Sequence, residues 1–550
     1  MMKKYIKLIL IFLLAGFVSC NEDVLDIPQR GVLEVERTYL DADDETVTSF
    51  MAAIHYKIHG DSYTDGYSRT SVSALSLRSH LGTMGGEFAE YFQYLGTAEN
   101  SVYTLTWSYY YTIIYWCNMV IEQLPNNQVA SEEVINLAIA EARAIRSIMM
   151  MNLVQLYGNP PLADHIMTGE EGNTTANESW SFVESELAAV AEQLPSKSGI
   201  DGQRAIGSRL TKEAVYAYLG KAYLWQKKYS EAAQILYNKV IATNLYALVN
   251  DFSELNRYTS DFCPEYLWEY DITDASGYEI SQAGLFDAVN YNWAPNSLFI
   301  PEGLYNEGGF SKTAYASDAF GVFMDEHETN GNTKSNRYRA SIASYDELLD
   351  ETLYSYSAGE KGMQSGGATN CEGYFRIKLL PRAENVMGPD GWIYDFLHNN
   401  LCYMRYAEVL LNYAEAVAMG GNEGAITGLD ALNMVRSRAG LPEAPSLSMD
   451  NEEYGVKAER RAELFFEGSR FIDLVRWGDA VNVLADCGKY KPDFYGYQNG
   501  NNSAPQGKDQ WKIIKTATIG EGFKANKHEL FPIPAVDLNN NPSLVQNPGW

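Results

Sequence analysis

The chain has 550 residues, with 42 Lys and Arg against 71 Asp and Glu, a formal net charge of −29. That balance opposes a nucleic-acid ligand, whose affinity rests on cations at phosphates, and disfavours direct docking of the body on anionic lipid heads. After Val18 no run is long and apolar enough to span a bilayer, while 39 Tyr against 21 Phe and 10 Trp point to aromatic faces at surfaces and clefts, where a hydroxyl stays wet.

In chain order, Lys3, Lys4 and Lys7 form a basic start, and Leu8 to Val18 is an uncharged, mostly apolar run. This is the length of a signal-peptide core and too short for a transmembrane helix. Small Ser19 then precedes Cys20, as in a bacterial lipoprotein signal, where the cysteine thiol takes a diacylglycerol. Phe17 departs from the Leu or Val usual in that signal; a plain secretory signal with a chance cysteine is the alternative. Each buried CH₂ contributes about 0.8 kcal/mol, so the two or three chains of a lipoprotein cysteine make a stable anchor. The expectation is a signal over 1–19 and a lipidated tether over 20–38. Asn21-Glu22-Asp23 resembles the acidic surface-export signal of Bacteroidetes lipoproteins. The other cysteines (Cys117, Cys263, Cys371, Cys402 and Cys487) contain no C-x-x-C pair and are read mostly as small buried apolar residues.

Residues 43–59 are apolar at helical spacing. Residues 60–100 are rich in Gly, Ser, Thr and Tyr and read as a loop. From Trp107 the pattern is helical, with Trp107, Tyr111, Ile114 and Asn118 on one face. Helices are predicted over 131–157 and 179–194. Over 211–241, Tyr216, Leu219, Gly220, Tyr223, Tyr229, Ala232 and Leu236 stand where a tetratricopeptide repeat places its packing residues. No strict period continues, so a larger domain absorbs the helix pairs. Residues 250–400 carry weak periodicity and predict ordered loops and short strands. Helices follow over 403–419, 428–438 and 455–476, then a polar, aromatic loop over 488–512 and an extended, Pro- and Asn-rich end. The fold class is mainly α: tetratricopeptide-like helix pairs (39–250) packed against a loop-rich half with short strands (251–550), as one composite domain.

Four segments act together: Arg405-Tyr406-Ala407-Glu408 through Ala416; Leu432-Asn433-Met434-Val435-Arg436-Ser437-Arg438-Ala439-Gly440-Leu441-Pro442; Glu459-Arg460-Arg461-Ala462-Glu463-Leu464-Phe465-Phe466-Glu467-Gly468-Ser469-Arg470 continuing to Trp477-Gly478; and Phe531-Pro532-Ile533-Pro534 with Gln546-Asn547-Pro548-Gly549. In that order they resemble the SusD/RagB family of nutrient-binding outer-membrane lipoproteins. Glu141-Ala142-Arg143, Tyr157-Gly158, Pro161-Leu162 and Arg209-Leu210-Thr211 are similar to landmarks of its first half. The resemblance implies a SusD-like α-rich fold and capture of an oligosaccharide, or in some members a peptide, at the cell surface. It implies delivery to a SusC-like TonB-dependent transporter as partner, with no catalysis and no cofactor.

Glu463 and Glu467, four apart on the predicted 455–476 helix, also suit a glycosidase carboxylate pair. Arg460, Arg470 and Arg476 are placed to answer Glu463, Glu467 and Asp473. Such pairing lowers carboxylate pKa values where a general acid needs one raised, so the cluster is read as structural. His55 and His59 share a face without the Glu of H-E-x-x-H, which disfavours zinc. Asp325–Asn332 lacks the spacing of an EF-hand. Ligand recognition is assigned to loop aromatics with polar neighbours: Asp65 and Tyr67 with Tyr94 facing them, the run Tyr291, Asn292 and Trp293, and Tyr495. A surface glycosidase and a helical-repeat scaffold are the readings from other classes.

Overall fold

The computed structural model describes residues 35–59, 82–83, 89–197, 209–255, 257–271, 315–344, 347, 368–369, 372–378, 400–495 and 512–550. The first half is built from α1 (Asp44–His59), α2 (Ser101–Gln123), α3 (Glu132–Tyr157), α4 (Ala176–Val190), α5 (Lys212–Trp225) and α6 (Tyr229–Lys239). Side-chain caps set the starts. Asn100 accepts from Val102 N–H, Ser131 from Val134 N–H and Thr211 from Ala214 N–H. Thr175 and Glu178 form a reciprocal capping box, satisfying N–H groups that the helix leaves open. That box explains why α4 begins at Ala176, ahead of the predicted 179, and the Asn100 cap starts α2 before Trp107.

Consecutive helices from α2 to α6 pack as neighbours. In the α5–α6 hairpin, a Cβ at Gly220 would stand 2.5 Å from Leu236 Cδ2, so the missing side chain sets the close approach. On α2, Tyr111 Oη–H donates to Pro161 O, and Asn118 donates to the carbonyls of Ala163 and His165. The α2 face read from spacing therefore anchors the segment after α3. His55 lies within 3.0 Å of Glu141, whose other oxygen takes Arg209. Burial raises the Glu141 carboxyl, but Arg209 and His55 outweigh it and hold it at about 2.

In the second half, β1 (Tyr266–Tyr270) pairs antiparallel with β4 (Leu401–Arg405), matching Tyr266 with Arg405. Between them lie α7 (Asp318–His327), a tight hairpin at Thr329–Lys334, α8 (Asn336–Ser341), and β2 (Ile342–Ser344) against β3 (Tyr374–Arg376). The helices α9 (Tyr406–Ala418), α10 (Gly428–Arg438), α11 (Val456–Glu463) and α12 (Ser469–Trp477) follow. The last strands are β5 (Tyr490–Tyr495) and β6 (Lys512–Thr518).

Three predicted elements change. The 403–419 helix starts at Tyr406, because Leu401–Arg405 are taken by pairing with β1. The 455–476 helix is two helices, broken where Phe466 (φ 61°) and Gly468 (φ 80°) adopt left-handed backbone. The ends of the 488–512 loop are strands, paired from Tyr490↔Thr518 to Tyr495↔Lys512.

A continuous apolar core runs from α1 through the helices to Phe531 and Ile533. The extended C-terminus is tied to α3: Phe531 N–H donates to Leu156 O at 2.7 Å, and Asn547 donates to Tyr157 O and Phe531 O at 2.9 and 2.7 Å. Among the described residues no helix is long and apolar enough to cross a membrane.

Candidate functional site

Of the residues assigned to ligand recognition, Cys20, Asp65, Tyr67, Tyr291, Asn292 and Trp293 lie outside the described residues. Tyr495 ends β5 opposite Lys512. Tyr94 is corrected: it is only 2% exposed, and its ring packs edge-on to Phe523 at 5.7 Å and 4.9 Å from His528. A ring so enclosed has no face to offer a sugar. Its neighbour Tyr91 is likewise buried, against Tyr103 and Phe531. Tyr94 looked like a loop aromatic because the C-terminal segment that covers it lies more than four hundred residues away.

The charged motifs converge on a buried ionic nucleus. Five carboxylates (Glu265, Glu328, Glu459, Glu463 and Glu467) meet five cations (Arg337, Lys378, Arg405, Arg436 and Arg438). Arg337 reaches Glu328, Glu459 and Glu463 at 2.6, 2.6 and 2.8 Å. Arg405, at the β4–α9 junction, reaches Glu265, Glu463 and Glu467 at 2.8, 2.5 and 2.9 Å. Burial pushes the Glu463 carboxyl up, yet Arg438, Arg405 and Arg337 together hold it well below the usual carboxylate range. Glu467 is likewise pushed up by burial and carried below its ordinary value by Arg405 and Lys378. Neither can serve as a general acid near neutral pH.

The pairing differs from that read along the helix. Arg460 and Arg476 both serve Asp473, at 2.9 and 2.8 Å, and Arg476 also pairs with Glu415. Arg470 has no carboxylate partner among the described residues; its guanidinium lies 5.9 Å from the Trp477 ring centre. The break at 464–468 re-aims the side chains, so Glu463 and Glu467 look to other elements rather than along their own. The acidic Asp325 is held by Lys334 at 2.6 Å and by the Tyr338 and Tyr374 hydroxyls at 3.0 and 2.5 Å. Among the described residues no three His, Cys, Asp or Glu are grouped to hold a metal ion. Cys117 and Cys487 are buried, and Cys117, Cys263 and Cys402 form no disulfide among the described residues.

Between the helical half and α12 lies a cleft that sequence reading missed. Asn152 and Gln155 reach it from α3, Trp225 from α5, Asn412 from α9 and Ser469 from α12. It combines aromatic walls with side-chain amides, a mixture able to bind a polar molecule that also has an apolar face. Each residue alone reads as helix packing; only the meeting of four helices makes them a set.

The C-terminal half, residues 264–550, matches the model of the SusD family. The chain belongs to the SusD family. Residues 59–224 match a second model of this group, described as starch-binding and associating with the outer membrane. Along its full length the chain is 25% identical to all of the SusD-like protein P2 of Formosa agariphila. The fold is shared with a laminarin-binding SusD-like protein (TM-score 0.67, 22% identity, 92% of this chain and 100% of the other). It is shared equally with surface glycan-binding protein A of Bacteroides thetaiotaomicron solved with laminarihexaose (TM-score 0.67, 20% identity, 92% and 100%). The four C-terminal segments, with the glutamates and arginines of the nucleus, lie within the matched family region, and the helix-rich fold is the one the resemblance implied.

Proposed function

We propose that this SusD family member is a cell-surface protein, held in the outer membrane by a lipid on Cys20. It captures an oligosaccharide without altering it and delivers it to a SusC-like TonB-dependent transporter. The observation that carries the reading is family membership combined with a fold shared, over more than nine-tenths of the chain, with proteins named for binding laminarin and surface glycans. The Asn-flanked aromatics Tyr291 and Trp293, with Asp65 and Tyr67, supply the rings and polar groups that such a ligand needs. A tether at Cys20 keeps a binding lid beside its transporter at high effective concentration.

The test is calorimetry of the full-length protein in detergent against laminarin-type, starch-type and other oligosaccharides and a peptide panel. Micromolar binding of one glycan class, weakened about tenfold by Trp293→Ala, is expected; one stacked ring contributes on the order of 1 kcal/mol. Binding to peptides alone transfers the protein to the peptide-binding branch, and release of reducing ends makes it a glycosidase. Cys20→Ser should move the protein out of the membrane fraction.

A further inference from the structure

The cleft between the helical half and α12 has a specific balance of used and unused polar groups. Its charges are committed to one another: Lys221 to Glu408 at 2.8 Å, Arg405 to Glu467 at 2.9 Å, and Arg460 and Arg476 to Asp473 at 2.9 and 2.8 Å. Its amides are not. Asn412 is 1% exposed, and its Oδ1 accepts from Arg460 at 2.5 Å, which fixes the amide orientation and leaves Nδ2 without a partner. Gln155 is 3% exposed. Neither it, nor Asn152, nor the Ser469 hydroxyl makes a side-chain hydrogen bond among the described residues. Buried amides are ordinarily satisfied, since an unmade bond costs about 1–3 kcal/mol. The buried Asn412 Nδ2 therefore points to something that fills the space, and Gln155 with the half-buried Asn152 and Ser469 lines the same space.

The space suits more than a single water. Its cavity volume is about 100 Å³, where a single water needs about 10–15 Å³. Trp225 gives the cleft a half-buried aromatic ring, Tyr218 and Tyr110 border it at 5% and 1% exposure, and Lys221, 26% exposed, stands at the rim. Because every charged group named here is paired, the site has no spare charge to draw an ion. What remains is neutral: amide donors and acceptors, one hydroxyl and flat aromatic surface.

We infer that this cleft is a binding site for one neutral, hydroxyl-rich ring of pyranose size. Its hydroxyls would be held by Asn152, Gln155, Asn412 and Ser469, and its apolar face would lie on the Trp225 ring. The residues that form it are not those of the loop proposal above, so it stands or falls separately. The probes are the methyl α- and β-pyranosides of glucose, galactose and mannose, titrated into the full-length protein in detergent by calorimetry, with sodium acetate and methylammonium chloride as charged probes.

Binding of at least one pyranoside is expected, weakened on the order of tenfold by Gln155→Leu or Asn152→Leu and unchanged by Trp293→Ala. Neither Gln155 nor Asn152 gives up a hydrogen bond on substitution. If Gln155→Leu fails to fold, the less buried Asn152→Leu carries the test. Absence of pyranoside binding, preference for acetate or methylammonium, or indifference to both leucine variants overturns the inference. Loss of oligosaccharide capture in Trp293→Ala with pyranoside binding intact separates the two sites.

Discussion

Glu463 shows how a residue can look catalytic in a sequence and be structural in the fold. It is fully buried and bonded to three arginines from three other elements, Arg337, Arg405 and Arg438. Glu463→Gln leaves those guanidinium groups short of one charge. Breaking a buried ion pair from one side costs about 3–5 kcal/mol, so the variant should lose that much stability in urea titration at pH 7. The lowered pKa of Glu463 gives the sign of its pH dependence. Its contribution is complete above the ordinary carboxylate pKa and is lost only as pH falls through the depressed folded value, so the variant's deficit should shrink in acid.

Glu269 on β1 is the opposite case. Burial raises its pKa to about 7, against the Phe262 N–H and Asn400 amide that donate to it at 3.0 and 2.9 Å and the charge of Lys197; Asp271 adds to the rise. A carboxyl whose folded pKa is raised loses stability for the protein as pH climbs from the unfolded value through the folded one. Glu269→Gln keeps an acceptor for both donors. It should match the wild type at pH 4 and exceed it by up to about 3 kcal/mol at pH 8, measured by chemical denaturation at the two pH values. The acidic residues of both kinds were visible in the sequence, but their opposite titration was not, since it depends on which cations the fold brings near.

Among the elements, the α5–α6 hairpin was the most legible. Its small residues at repeat positions predicted close helix packing, and Gly220 against Leu236 shows the contact. Gly→Ala inside a helix ordinarily gains up to about 1 kcal/mol. Here the added methyl would sit 2.5 and 2.6 Å from Leu236 Cδ2 and Cγ, and overpacking costs about 1–3 kcal/mol. Gly220→Ala should therefore lower the thermal midpoint, and adding Leu236→Ala should make the alanine at 220 less harmful than it is alone, a non-additivity measured by a double-mutant cycle. The 455–476 stretch was less legible. Its periodicity is helical on both sides of the break, and the left-handed Phe466 is held by its surroundings, with Phe465 and Phe466 both buried. Local propensity favours continuation; tertiary packing overrides it.

At the scale of the molecule, the C-terminus closes onto the first half. Asn547, 5% exposed, donates to the carbonyls of Tyr157 and Phe531, and Gln546 both donates to and accepts from the Ile533 backbone. Asn547→Ala leaves two buried carbonyls without this donor and should cost about 1–3 kcal/mol, read as a lower midpoint in thermal denaturation. The sequence by itself determined the helical periods, the order of the charged segments and the extended, proline-rich end, because these depend on neighbours within a few residues. It also carried the family, since motif order survives where identity is low. Only the tertiary structure decided which arginine answers which glutamate, that Tyr94 is enclosed rather than presented, and that amides from separate helices share one cleft. Those outcomes depend on groups tens to hundreds of residues apart, and burial and electrostatics act through space and not along the chain.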